Sequence, residues 1–209
     1  MNPLSLWAKP ARLLRTSLWA LLGVFIAYQS ASAQSQEEPP PRYRVEVIVF
    51  SQPALDLADR AQSMTKPPLP LPGRAWPLRD SERAGFGYAQ IDPAQHQLAQ
   101  TAQRIDAQPG FRVFWHAAWE QPGLPESESQ AVALPWALRR EGLTGRVQVN
   151  LARFLHTQID LHYTQASADE ASPPQYWALS DSLRMRSEEQ HYLDHPVLGV
   201  IVRIDPLDP

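Results

Sequence analysis

The densest set of side chains able to do chemistry lies near the C-terminus, in Arg184-Met185-Arg186-Ser187-Glu188-Glu189-Gln190-His191-Tyr192-Leu193-Asp194-His195-Pro196. Two histidines, three carboxylates, a tyrosine and two arginines fall within one short stretch. Three readings of it compete. A metal site would use His191 and His195, four residues apart, with Glu189 or Asp194 adding an oxygen, since zinc accepts both donor types. The spacing matches the histidines of H-E-x-x-H, but Tyr192-Leu193-Asp194 stands between them and no glutamate follows the first. A hydrolytic site would use either histidine as base, oriented by a carboxylate. There is no cysteine nucleophile, and no serine here sits in G-x-S-x-G. A paired-carboxylate glycosidase is another form of that reading, because carboxylate separation is invisible in sequence. The third reading is structural: Asp, His and Tyr side chains satisfying the backbone of a compact turn.

Two further groups bear on binding. His156, Gln158, Asp160 and His162 alternate along one face of a long strand-like run. If that run pairs with Tyr176–Ser187, Asp160 is placed to meet Arg184 across the ladder. Otherwise the row is an ordinary solvated sheet face. Beyond residue 33 there are five tryptophans. Trp115, Trp119 and Trp177 lie in phase with apolar neighbours and read as core. Trp76 and Trp136 sit in proline-flanked loops and are the better candidates for exposed recognition, for instance by stacking on a sugar ring.

The elements that must position these residues are mostly strands. Tyr43–Phe50, YRVEVIVF, is apolar on both faces towards its end, as a central strand is. Phe111–Trp119 places Phe111, Val113, Trp115, Ala117 and Trp119 on one face. Residues 146–163 alternate in one phase, but about 18 residues at 3.3 Å would span near 60 Å, too long for one flat strand. A bend, a bulge or a junction between two strands is therefore expected near Asn150–Arg153. Tyr176–Ser187 turns Trp177, Leu179, Leu183 and Met185 inwards, EEQHYLDHP is a connection, and Leu198–Ile204 is the last strand.

One helix is well marked. Asp92 caps it, Pro93 takes its first position, Ala94, Leu98, Ala102 and Ile105 form its apolar stripe, and Pro109-Gly110 stops it. KPPLPLPGRAWPL is too proline-rich for a helix or a central strand, and a loop this long is often functional. The parts sum to a single α+β domain: a mostly antiparallel sheet of about five strands, one or two helices and long loops.

The N-terminus reads as an export signal. Lys9, Arg12 and Arg15 precede an apolar run from Ser17 to about Tyr28, which ends at Ala31-Ser32-Ala33. The run is shorter than the roughly 20 residues of a membrane span. Residues 1–33 are therefore expected to be a cleaved signal peptide, 34–42 a disordered proline-rich leader and 43–209 the domain. No membrane anchor is expected in the mature form. The chain has no cysteine, so neither a disulfide nor a lipidated cysteine is available. Without the three basic residues of the signal, sixteen basic side chains face twenty-two acidic ones, a charge near −6. That balance argues against nucleic acid.

The chain resembles the CsiV family of periplasmic peptidoglycan-binding proteins. The resemblance lies in YRVEVIVF, FRVFWHAAWEQP, GRVQVNLARFLHTQIDLHY and, most specifically, LRMRSEEQHYLDHPVLGVIVRIDP. It covers most of the mature chain and is weakest from Ser51 to Tyr88. It implies a non-enzymatic envelope role without a cofactor: binding peptidoglycan, and acting with the outer-membrane lipoprotein activator of a class A penicillin-binding protein in wall synthesis and cell shape. The expected ligand-binding residues are Arg184, Arg186, Glu189, His191, Tyr192, Asp194 and His195. The arginines would meet stem-peptide carboxylates and Tyr192 a sugar or peptide. The alternative is a metal- or carboxylate-dependent wall hydrolase centred on EEQHYLDH.

Overall fold

A strand apolar on both faces needs cover on both sides, and the chain supplies it. In the structure, a computed structural model that describes residues 39–53, 63–78, 87–167 and 173–207, β1 (Arg42–Ser51) is the middle of a five-stranded sheet. It pairs antiparallel with β4 (Arg112–Pro122) on one side and with β10 (Leu198–Leu207) on the other. The short β3 (Ala89–Gln90) lies beyond β4, and β9 (Gln190–Asp194) lies beyond β10. The expected signal peptide (1–33) and most of the expected leader (34–42) lie outside the described residues. Pro40–Pro209 forms one compact unit.

A second sheet runs in the order β2 (Ala75–Pro77), β5 (Ala131–Ala133), β6 (Leu143–Leu151), β7 (Leu155–Gln165) and β8 (Gln175–Met185). All its pairs are antiparallel except β2 with β5. The mostly antiparallel α+β expectation holds, with two five-stranded sheets in place of one. β2, β3 and β5 are two or three residues long and carry no period of their own. QHYLD, expected as a connection, is the edge strand β9, because its backbone pairs with Gly199–Arg203.

The two sheets share one apolar core. Val45, Val47 and Val49 of β1 join Val147, Ile159 and Trp177 of the second sheet in a single buried cluster. Each such side chain contributes about 1.5–3 kcal/mol by leaving water. The opposite face of β1 packs Ile48 and Phe50 against Leu98 and Ala102, under α1 (Ala99–Asp106). Trp115, Trp119 and Trp177 are core residues, as their phase predicts.

The long run 146–163 is two strands, β6 and β7, folded back as a hairpin at Ala152–Phe154, where Ala152 N–H donates to the Phe154 carbonyl at 3.1 Å. The expected Asp160–Arg184 pair does not form. β7 does pair with β8, but Arg184 stands opposite His156, and Asp160 stands opposite Ser180 and, on β6, Arg146. β4 carries a bulge at Phe114, so Trp115, Ala117 and Trp119 face the core between the sheets while Phe111 and Val113 face the helix.

The expected helix is also divided. Asp92 Oδ1 accepts from Ala94 N–H at 2.8 Å and Pro93 opens a turn, but that turn is a single 3-10 element, Pro93–Gln95. His96 is extended, and Gln97 and Leu98 turn their N–H groups to the Glu46 carboxylate. A buried anion from a neighbouring strand thus takes the donors that a continuous helix would bond internally.

Candidate functional site

The connection from β8 to β9 crosses from the second sheet to the first, and that crossing separates the residues expected to act together. Arg184, on β8, lies over the Phe154 ring at 4.8 Å. Arg186, Glu189 and His191 form a loose polar group at the crossing. The Arg186 N–H is 3.4 Å from His191 Nε2, and Glu189 lies 3.7 Å from the Arg186 guanidinium and 3.8 Å from His191.

Strand alternation then divides β9 itself. His191 shares a face with buried Leu193, whereas Tyr192 and Asp194 point to the other side. There the Tyr192 ring stacks on Phe50, with centroids 6.2 Å apart and planes 9° from parallel. Its hydroxyl lies 2.8 Å from Asp194 Oδ1 and 3.1 Å from Gln52 Oε1. Gln52 Nε2 donates to the same Asp194 oxygen at 2.8 Å and to the His195 carbonyl. Burial, reinforced by the Asp194 carboxylate, pushes the Tyr192 phenol up to about 12. The Gln52 and Tyr192 donors hold the Asp194 carboxyl below its ordinary range.

His195 stands edge-on to Trp177, with centroids 5.8 Å apart, and burial lowers its pKa, so the ring is neutral. Four extended residues, about 13 Å at 3.3 Å each, separate His191 from His195. They have no common metal position.

A second surface is formed by the proline-rich segment. A cleft of about 350 Å³ opens between Pro70–Gly73 on one side and Arg139, Arg146 and His162 on the other. Arg146 holds it together. Its guanidinium donates to Asp160 Oδ2 at 3.0 and 2.9 Å and to the Pro72 carbonyl, and Ser180 Oγ donates to Asp160 Oδ1 at 2.6 Å. Gly73 turns the loop at φ 80°, and a Cβ there would lie 3.1 Å from Arg146 Nη1.

Beside the cleft, the Arg139 guanidinium lies 4.0 Å over the ring of Trp136, which is 73% exposed. Among the described residues no carboxylate lines the cleft, although the protein as a whole is acidic. Burial lowers the pKa of His162, against the pull of Asp160, so this ring too is neutral. An open aromatic face beside a guanidinium that pairs with no carboxylate among the described residues suits a sugar ring carrying a carboxylate. The exposure of Trp136 and Trp76 was legible from their proline-flanked positions. The cleft was not, because its walls come from three segments far apart in the chain.

Among the described residues, one group of three side chains could hold a metal ion: Glu46, His96 and His116. Among them too, no helix is long and apolar enough to cross a membrane.

The family described as "Peptidoglycan-binding protein, CsiV" matches residues 13–207. The chain belongs to the CsiV family. No curated protein and no solved structure matches it. Every described strand of this CsiV-family chain falls inside the matched span, so the β9 edge and the cleft both belong to the family domain. The CsiV description is that of a binding protein and names no reaction.

Proposed function

We propose that this chain is a non-enzymatic peptidoglycan-binding protein of the periplasm that engages the wall through the Arg139–Trp136 cleft. The observation that carries this reading is the exposed Trp136 ring stacked on a guanidinium beside a cleft that no carboxylate among the described residues lines. One face of the indole is left for a sugar, and Arg139 is placed to take a stem-peptide carboxylate bidentately. The family description supports the ligand class. In this reading the signal peptide is removed after Ala33, and the mature protein works in the cell envelope beside the lipoprotein activator of a class A penicillin-binding protein, supporting wall synthesis and cell shape.

The β9 edge is the second reading. Tyr192 is half exposed, held flat on Phe50 and fixed by Gln52 and Asp194, a rigid platform of the kind a glycan or peptide needs. Arg186, Glu189 and His191 extend that edge, while Arg184 and His195 stand apart from it. The separation of His191 from His195 gives the metal-dependent form of the hydrolase alternative no support.

Co-sedimentation with isolated sacculi tests both. The exported protein is expected in the pellet, with retention lost in Trp136→Ala and Arg139→Ala. Loss in Tyr192→Ala alone moves the site to the β9 edge. Wild-type protein left wholly in the supernatant sinks the proposal.

A further inference from the structure

Glu46 is fully buried and sits on the helix-facing side of β1, where only apolar neighbours would otherwise be expected. Its carboxylate has an evident structural duty. Oε2 accepts from Gln97 N–H at 2.9 Å and Oε1 from Leu98 N–H at 2.8 Å, so it caps the start of α1 from outside the helix. A cap needs nothing more. Yet His116, from β4, places Nε2 2.7 Å from Oε1, and the His96 ring lies against the His116 ring with centroids 4.4 Å apart.

His96 carries the observation that capping does not explain. Its Nε2 is buried and has no hydrogen-bond partner. The nitrogen is therefore available to a ligand that the protein itself does not supply. In the tautomer protonated at Nδ1, this nitrogen carries a lone pair able to coordinate. Metal-binding imidazoles use one ring nitrogen in this neutral form.

One ligand atom from each of the three residues falls within 4.8 Å of the others. A tetrahedral zinc ion with bonds near 2.0–2.1 Å needs its donors about 3.3 Å apart, so movements below an ångström convert one arrangement to the other. We propose that Glu46, His96 and His116 bind one divalent ion of the zinc type. Two imidazoles and a carboxylate hold it, and water takes the fourth position. The ion replaces the proton shared by His116 and Glu46 and clamps β1, β4 and the entry to α1. The Gln97 and Leu98 N–H groups remain on Glu46 and orient it.

The test uses the protein exported through its own signal, carrying no affinity tag and stripped with chelator. Equilibrium dialysis against Zn²⁺ with elemental analysis is expected to give one ion per chain, and Co²⁺ to give the visible absorption of a four-coordinate centre. His96→Ala and His116→Gln are expected to weaken binding by more than about tenfold, the least that even an outer-shell loss costs. His191→Ala is expected to leave it unchanged. Far-UV circular dichroism and the metal-free melting curve show whether each variant is folded, and a zinc-dependent rise in Tm is expected in the wild type and His191→Ala but not in His96→Ala or His116→Gln. Stoichiometry near zero, or zinc retained in a folded His96→Ala protein, overturns the site.

Discussion

His116 Nε2 lies 2.7 Å from Glu46 Oε1, tying β4 to the centre of β1 across 70 residues of sequence. Burial alone would raise the Glu46 carboxyl. The His116, Leu98 and Gln97 donors together outweigh it and hold the group below its ordinary range, so the buried side chain is an anion. Glu46→Leu leaves those donors buried without an acceptor and is expected to destabilise the fold by about 3–5 kcal/mol. Glu46→Gln keeps one acceptor oxygen and should cost less, about 1–3 kcal/mol. Urea midpoints measured in chelator compare the two, and equal losses would contradict the account.

Gly199 faces the Phe50 ring so closely that an added Cβ would stand 2.2 Å from Phe50 Cζ. The same ring supports Tyr192. Gly199→Ala is therefore expected to cost about 1–3 kcal/mol through overpacking. Trimming the ring in Gly199→Ala/Phe50→Leu should recover part of that loss. A double mutant no better than the sum of the single changes would place the strain elsewhere.

His195 is half-buried against Trp177, and its folded pKa lies below that of the unfolded chain, near 6.5. Between the two values the unfolded state binds more protons, so stability rises with pH. The contribution is complete above about 6.5 and is lost as pH falls through the folded value. Asp194 opposes the shift without reversing it. His96 and His162 are shifted in the same direction, so the readout is a difference. The fall in Tm from pH 7.5 to 5.5 should be shallower in His195→Gln than in the wild type.

Arg146 joins the proline-rich loop to Asp160, and both side chains are less than one-fifth exposed. Arg146→Met is expected to lose about 1–3 kcal/mol, as for hydrogen bonds to a charged group. It also releases Pro72, so trypsin should cut faster after Arg74 while sites in the sheets stay protected. Unchanged cleavage at Arg74 would mean that the loop is held by something else.

Much of the strand pattern was legible because a period of two survives in Val45–Phe50, in 146–163 and in Tyr176–Ser187 without any knowledge of partners. The division of the helix was not. Asp92-Pro93 and the apolar stripe signal one helix, and the break at His96 exists only because Glu46, some fifty residues earlier, takes two of its N–H groups. Likewise, the alternation of β9 was masked by its Asp and His and by Pro196 just beyond it, which read as a turn until β10 offers it a ladder.

The candidate site shows the same limit more sharply. The sequence drew attention to EEQHYLDH because chemistry-bearing residues are close together there. Proximity along an extended strand that begins after a crossing between sheets means divergence in space: Tyr192 and His191 face opposite ways, and Arg184 stays with the other sheet.

By itself, the sequence determined the acidic charge, the predominance of antiparallel strands and the family. These rest on composition, local period and motif, which need no partner. Tertiary structure alone decided which side chains meet. The Arg139 cleft and the Glu46–His96–His116 cluster are each assembled by sheet register from segments tens of residues apart. Register is fixed by the burial of the two sheet faces against each other and under α1, a property of the packed whole that no local window contains.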